Sequence, residues 1–170
     1  MAARTTEYEK VEADFLRTAP VHVTLRQRLP VPAAAAFRCL EDGDAWPKWL
    51  TAIAKVEWTS SKPWGVGTTR TIWLGKRTVD EHFIAWEEGA RMSFRFERGG
   101  VPPIKAFAED YALTPKGDDA CELAWTYGFA LRGPFVLVQP IFAAKFKRDG
   151  VASLARLADL LAQDPSPYQI

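Results

Sequence analysis

An α+β domain, with a curved antiparallel sheet of about seven strands closed around one long C-terminal helix, is the fold class this sequence predicts. Two observations carry it. Between residues 53 and 131, apolar side chains recur with a period of two, in segments divided by glycine, proline and aspartate. After Gly133-Pro134 the period becomes 3.6 and holds until Asp164-Pro165. An antiparallel sheet buries one face, and the terminal helix is the large apolar partner available to cover it.

In chain order, residues 1–20 read as an amphipathic extension. Thr6 and Glu9 have capping-box spacing, and Tyr8, Val11 and Phe15 then share one helical face, so a short helix is expected before Pro20. Its deletion is expected to leave a folded domain spanning 21–163. Residues 21–29 alternate Val21, Val23, Leu25, Gln27 and Leu29 against mostly polar neighbours, as a half-buried strand does. Two short helices follow, over 33–40 and 45–50. Strands are then expected over 53–60, 68–74, 77–87, 91–98, 104–114 and 121–132. Gly75-Lys76 suits a two-residue hairpin turn of type II′. The last strand is the clearest, because Cys121, Leu123, Trp125, Tyr127, Phe129 and Leu131 line one face without interruption.

The terminal helix is expected from Gly133-Pro134 onward, for about eight turns, with Phe135, Val138, Phe142, Phe146, Leu154, Leu157 and Leu161 inward. Pro140 and Gly150 are candidate bend points. Gly150 and Ser153 are small residues on this face, which means close packing or room for a ligand. Residues 164–170 read as a tail.

Composition bounds the partners. The chain has 170 residues, 48% hydrophobic and 25% charged, enough for a sizeable core and unlike a disordered segment. A net charge of +1 gives no general electrostatic reason to expect nucleic acid or an acidic membrane. Cys39 and Cys121 lie far apart, without a CxxC pair, which argues against a disulfide framework or thiolate metal site. No apolar run is long enough for a membrane span, and residues 1–20 lack a signal-peptide core, so a cytoplasmic location is expected.

Several local motifs are consistent with this order. They are Val31-Pro32 through Phe37, Trp46-Pro47-Lys48-Trp49-Leu50, the Gly65-Val66-Gly67-Thr68 turn, and the hairpin segment from Ile84-Ala85-Trp86 to Phe94. In these features residues 21–163 resemble the START-like, or SRPBCC, superfamily, and within it the polyketide cyclase/dehydrase-like members. The resemblance implies a helix-grip fold with a hydrophobic cavity under the long helix, and no shared catalytic set.

Chemistry-bearing motifs are few. Gly65-x-Gly67-x-x-Arg70 leads into a strand and not a helix, so it reads as a turn and not a phosphate loop. Asp80 and His82 share one strand face and Glu81 points the other way, and the three read as a row of polar side chains on the strand's surface. Only His22 and His82 exist, without metal-ligand spacing, so neither metal nor cofactor is expected. No serine sits in a nucleophile elbow. The run Lys145-Phe146-Lys147-Arg148 reads as a solvated helix face with Phe146 inward. Trp46 and Trp49 either anchor the short helices in the core or, for one of them, line a cavity entrance.

The leading expectation is binding or sequestration of an apolar small molecule (lipid-like, isoprenoid or polyketide-like) between sheet and helix. Phe94, Phe96, Phe107, Tyr111, Trp125, Tyr127, Phe129, Phe142 and Phe146 are the expected ligand contacts, with Tyr127 or Glu109 orienting the ligand. One alternative is an aromatase/cyclase using Glu109, Tyr111 or His82 as acid or base. Another is an interaction module with a filled core; a homo-oligomer is compatible with all three.

Overall fold

The structure, a computed structural model, describes residues 5–169. Its strands are β1 (Thr6–Glu7), β2 (Val21–Leu29), β3 (Lys55–Trp58), β4 (Thr69–Leu74), β5 (Arg77–Glu87), β6 (Arg91–Gly99), β7 (Ile104–Pro115) and β8 (Cys121–Leu131). The helices are α1 (Phe15–Thr18), α2 (Ala33–Glu41), α3 (Trp46–Trp49) and α4 (Gln139–Gln163). Seven strands form an antiparallel sheet in the order β2-β8-β7-β6-β5-β4-β3, and β1 adds to β6. The helix-grip arrangement expected from the sequence, a curved antiparallel sheet around a long C-terminal helix, is the one observed.

Hairpin chemistry sets the register. Gly75 takes φ +63° in the two-residue connection of β4 and β5, which places Leu74 opposite Arg77, Ile72 opposite Val79 and Arg70 opposite Glu81. The inner face of β8 meets that of β7 in the pairs Trp125–Tyr111, Tyr127–Glu109 and Phe129–Phe107.

Helix α4 covers the concave face with its second half, through the buried side chains of Leu154, Leu157 and Leu161. Gly150 allows the close approach: a Cβ there would sit 2.6 Å from Leu25 Cδ1 and 3.2 Å from Trp125 Cζ3. Ser153 is buried beside it, its Oγ donating to Asp149 O and accepting from Arg156. Both readings of this small pair hold at Gly150, which packs closely here and also lines the cavity between sheet and helix, whereas Ser153 is only packed.

The helix starts later than its sequence period suggests. Gly133–Val138 winds as a 3-10 turn, and Phe135 is exposed instead of inward. The 25 residues of α4 make about seven turns. At the C-terminus, Ser166–Tyr168 forms a further 3-10 turn instead of a free tail, with Tyr168 buried and its hydroxyl donating to Asp42.

The N-terminal segment also departs from expectation, and residues 1–4 of it lie outside the described residues. Helix is confined to the single turn α1, and Tyr8 belongs to an extended stretch. β6 and β7 explain this, since they pair from Arg91–Ala112 to Arg95–Ala108 and then diverge. The Tyr8 N–H donates to Glu97 O at 3.1 Å and the Glu9 N–H to Lys105 O at 2.8 Å, so the segment bridges the gap and satisfies groups of both strands. The Tyr8 ring enters the core beside Phe96, and its hydroxyl accepts from the Val101 N–H at 3.0 Å. Tyr8→Ala is therefore expected to destabilise the protein by about 3 kcal/mol, and deletion of residues 1–20 by at least as much, read as a lower melting temperature. Unchanged melting of either variant would show that the segment is dispensable.

Candidate functional site

A cavity of about 320 Å³ lies between the sheet and the first half of α4. Its inner wall is built from strand positions that alternate onto the concave face. β4 supplies Ile72, β6 Phe94 and Phe96, β7 Ile104, Phe107 and Glu109, and β8 Trp125, Phe129 and Leu131. Phe96 and Phe107 stack at 4.3 Å across β6 and β7. Phe142, Lys145, Phe146 and Asp149 of α4 form the opposite wall, and Leu50, Ile53, Leu74, Val101 and Pro103 complete the rim.

Seven of the nine expected contact residues line this space: Phe94, Phe96, Phe107, Trp125, Phe129, Phe142 and Phe146. Tyr111 and Tyr127 do not. Tyr111 is enclosed by Trp46, Trp49, Phe94 and Trp125, whose ring centres lie 5.5 to 6.4 Å away. Tyr127 sits between Trp125 and Phe146, with its hydroxyl buried and without a hydrogen-bond partner. Trp46 lines the cavity, whereas Trp49 is wholly core. His82 alternates onto the other face of β5, opposite Thr69 and Arg95, and is not part of the site.

Beyond the expected contacts, Ile72, Ile104, Leu131, Lys145 and Asp149 also line the cavity, so Lys145 is not wholly the solvated residue expected, and a buried ion pair at the inner wall escaped the sequence reading. Glu81 lines the cavity and Arg70, directly opposite on β4, is ion-paired to it; both are buried. The Arg70 guanidinium also lies 4.2 Å from the Trp46 ring centre and 4.5 Å from that of Phe94, and its two terminal nitrogens have no hydrogen-bond partner. Burial pushes the Glu81 carboxyl up and the Arg70 charge opposes that shift.

Glu109 is the second acidic group of the inner wall. It accepts a 2.7 Å hydrogen bond from the Tyr111 hydroxyl, its neighbour two positions along β7. Burial pushes its carboxyl up to about 8; Tyr111 opposes the rise, Glu81 adds to it and Arg70 opposes it. At neutral pH this carboxyl is mostly protonated and holds a proton inside an apolar chamber.

The shift has a consequence for stability. A carboxyl whose value is higher folded than unfolded binds more protons in the folded state, so its contribution is fully present below about 4.5 and is lost as pH rises through about 8. The loss is on the order of 5 kcal/mol at most. Glu109→Gln, neutral at every pH, should melt with a much flatter dependence between about pH 5 and pH 8. A parallel decline in both proteins would assign the dependence elsewhere.

Comparison with known proteins follows the same outline. A family described as polyketide cyclase / dehydrase and lipid transport matches residues 20–162. An uncharacterised protein of Mycobacterium tuberculosis is 42% identical over 129 residues, 74% of this chain and 75% of that one. The crystal structure of Zhui aromatase/cyclase from a Streptomyces species superposes with a TM-score of 0.69 at 14% identity, covering 84% of this chain and 94% of that one. A START superfamily protein of Mycobacterium smegmatis gives 0.65 at 13% identity, over 82% and 98%. At such identities the two structures attest the fold and nothing finer.

Proposed function

The chain belongs to the polyketide cyclase / dehydrase and lipid transport family, and on that premise we propose that it binds an apolar, lipid-like, isoprenoid or polyketide-like small molecule between the sheet and α4. One observation carries this reading: the 320 Å³ cavity is walled almost entirely by aromatic and aliphatic side chains. Such a wall supplies affinity at about 25 cal/mol per Å² of apolar area removed from water, without specific polar contacts. Glu109 and Glu81 would orient a polar end of the ligand, and Lys145 and Asp149 add charged groups to the α4 wall. Titration with a neutral apolar dye such as Nile red tests the reading, and saturable one-site binding is the expected result.

A second reading is favoured by the Glu109–Tyr111 pair alone. A carboxyl still protonated near neutral pH, in a water-poor chamber, is suited to protonate a ligand carbonyl as a general acid. That would make the same cavity a cyclase or dehydratase site. Glu109→Gln separates the two: a carrier keeps its ligand unchanged, whereas an enzyme still binds the compound and no longer converts it.

A further inference from the structure

Four large apolar side chains near the start of α4 stand in solvent within seven positions. Phe135 is 42% exposed, Val136 49%, Leu137 85% and Ile141 70%. None of them lines the cavity. Exposed apolar side chains are ordinary singly, but a contiguous group of this kind marks an interaction surface.

The charge around them is one-sided. Residues 132–148 contain Arg132, Lys145, Lys147 and Arg148 and no aspartate or glutamate, in a chain whose net charge is +1. Asp149, which pairs with Lys145 and Arg148, is the first acid to follow. With Asp149 included, residues 132–149 still carry four cations against one anion, a net charge of +3 along the stretch that holds the apolar group.

We propose that this face docks on an anionic lipid surface. Phe135, Val136, Leu137 and Ile141 would enter the boundary between headgroups and acyl chains, while Lys147 and Arg148 meet lipid phosphates. The chemistry disfavours a second copy of the chain. A symmetric contact sets the same patch against itself and would bring like cations together. The position matters as well. Ile141 is followed by Phe142, and Phe142, Lys145 and Phe146 line the cavity, so one helical stretch joins the docking face to the cavity wall. A docked molecule would hold that wall at the lipid surface, where an apolar ligand could pass without crossing bulk water. This role in exchange rests on the ligand-binding reading; the docking itself does not.

Flotation of the full chain with vesicles tests the proposal. Binding is expected to vesicles containing phosphatidylglycerol and not to pure phosphatidylcholine, and to be released by high salt. Leu137→Asp combined with Ile141→Asp should weaken it by at least about tenfold, as should Lys147→Glu with Arg148→Glu through the charge. Melting of both variants should stay near that of the parent, because all four side chains are exposed. Absence of flotation with the anionic vesicles, or flotation unaffected by both variants, would overturn the proposal. So would a dimer that Leu137→Asp dissociates. Nile red uptake, measured separately, reports on the cavity whatever the vesicles show.

Discussion

Replacing Glu81 by alanine is expected to destabilise the fold by about 3–5 kcal/mol, which lowers the melting temperature by roughly 10 °C or more. Arg70 is wholly buried and ion-paired to Glu81 across the β4–β5 hairpin. Without Glu81 its cation would remain among Trp46, Trp58, Phe83 and Phe94, whose faces attract it but do not replace water or a carboxylate. Arginine does not lose its proton under such conditions, so the protein must carry the charge or open to hydrate it.

The double substitution Arg70→Met with Glu81→Leu is the control. Apolar side chains of similar volume remove both charges together, and replacing a buried pair in this way is often neutral or better. Thermal melting of both variants decides the matter. The single variant should fall well below the parent and the double variant should recover most of the loss. Equal losses in the two would mean that shape, and not the uncompensated charge, governs this corner of the core.

How the sequence concealed this pair is instructive. Asp80, Glu81 and His82 looked like one polar row, and strand alternation correctly separated Glu81 from its neighbours. The inner face was there to be read in Ile72 with Arg70 and in Val79 with Phe83, since both charged residues occupy the apolar phase of their strands. The Gly75-Lys76 turn even sets the register that joins them. Buried charges are uncommon unless paired, which is why polarity outweighed phase in that reading.

The aromatic wall was legible for the opposite reason. Phe94, Phe96, Phe107, Trp125 and Phe129 obey period two in long strands, where alternation alone assigns the face. Tyr111 and Tyr127 obey it equally, yet other rings cover them, and periodicity carries no information about layers behind a wall. Tyr8 failed for a different reason. Its capping-box spacing was a local signal, whereas the divergence of β6 and β7 that recruits the segment as strand is a tertiary feature. The helix period through Phe135 likewise ran past the point where α4 meets the sheet.

Filling the cavity is the second large effect. Ile72 and Ile104 line it from β4 and β7, and their side chains border open space. In a filled core, enlarging both to tryptophan would force neighbours off their rotamers at about 1–3 kcal/mol for each overpacked site. In a hollow one the new rings occupy volume that is free, and the apolar area they bury offsets the cost.

Fluorescence titration with Nile red, run on the parent and on the Ile72→Trp, Ile104→Trp variant beside a thermal melt of each, is the most direct measurement. The expected result is saturable one-site binding by the parent, loss of that binding in the variant, and closely similar melting temperatures. A parent that never binds the dye, paired with a variant that melts far lower, would contradict a ligand cavity and leave a filled core in its place.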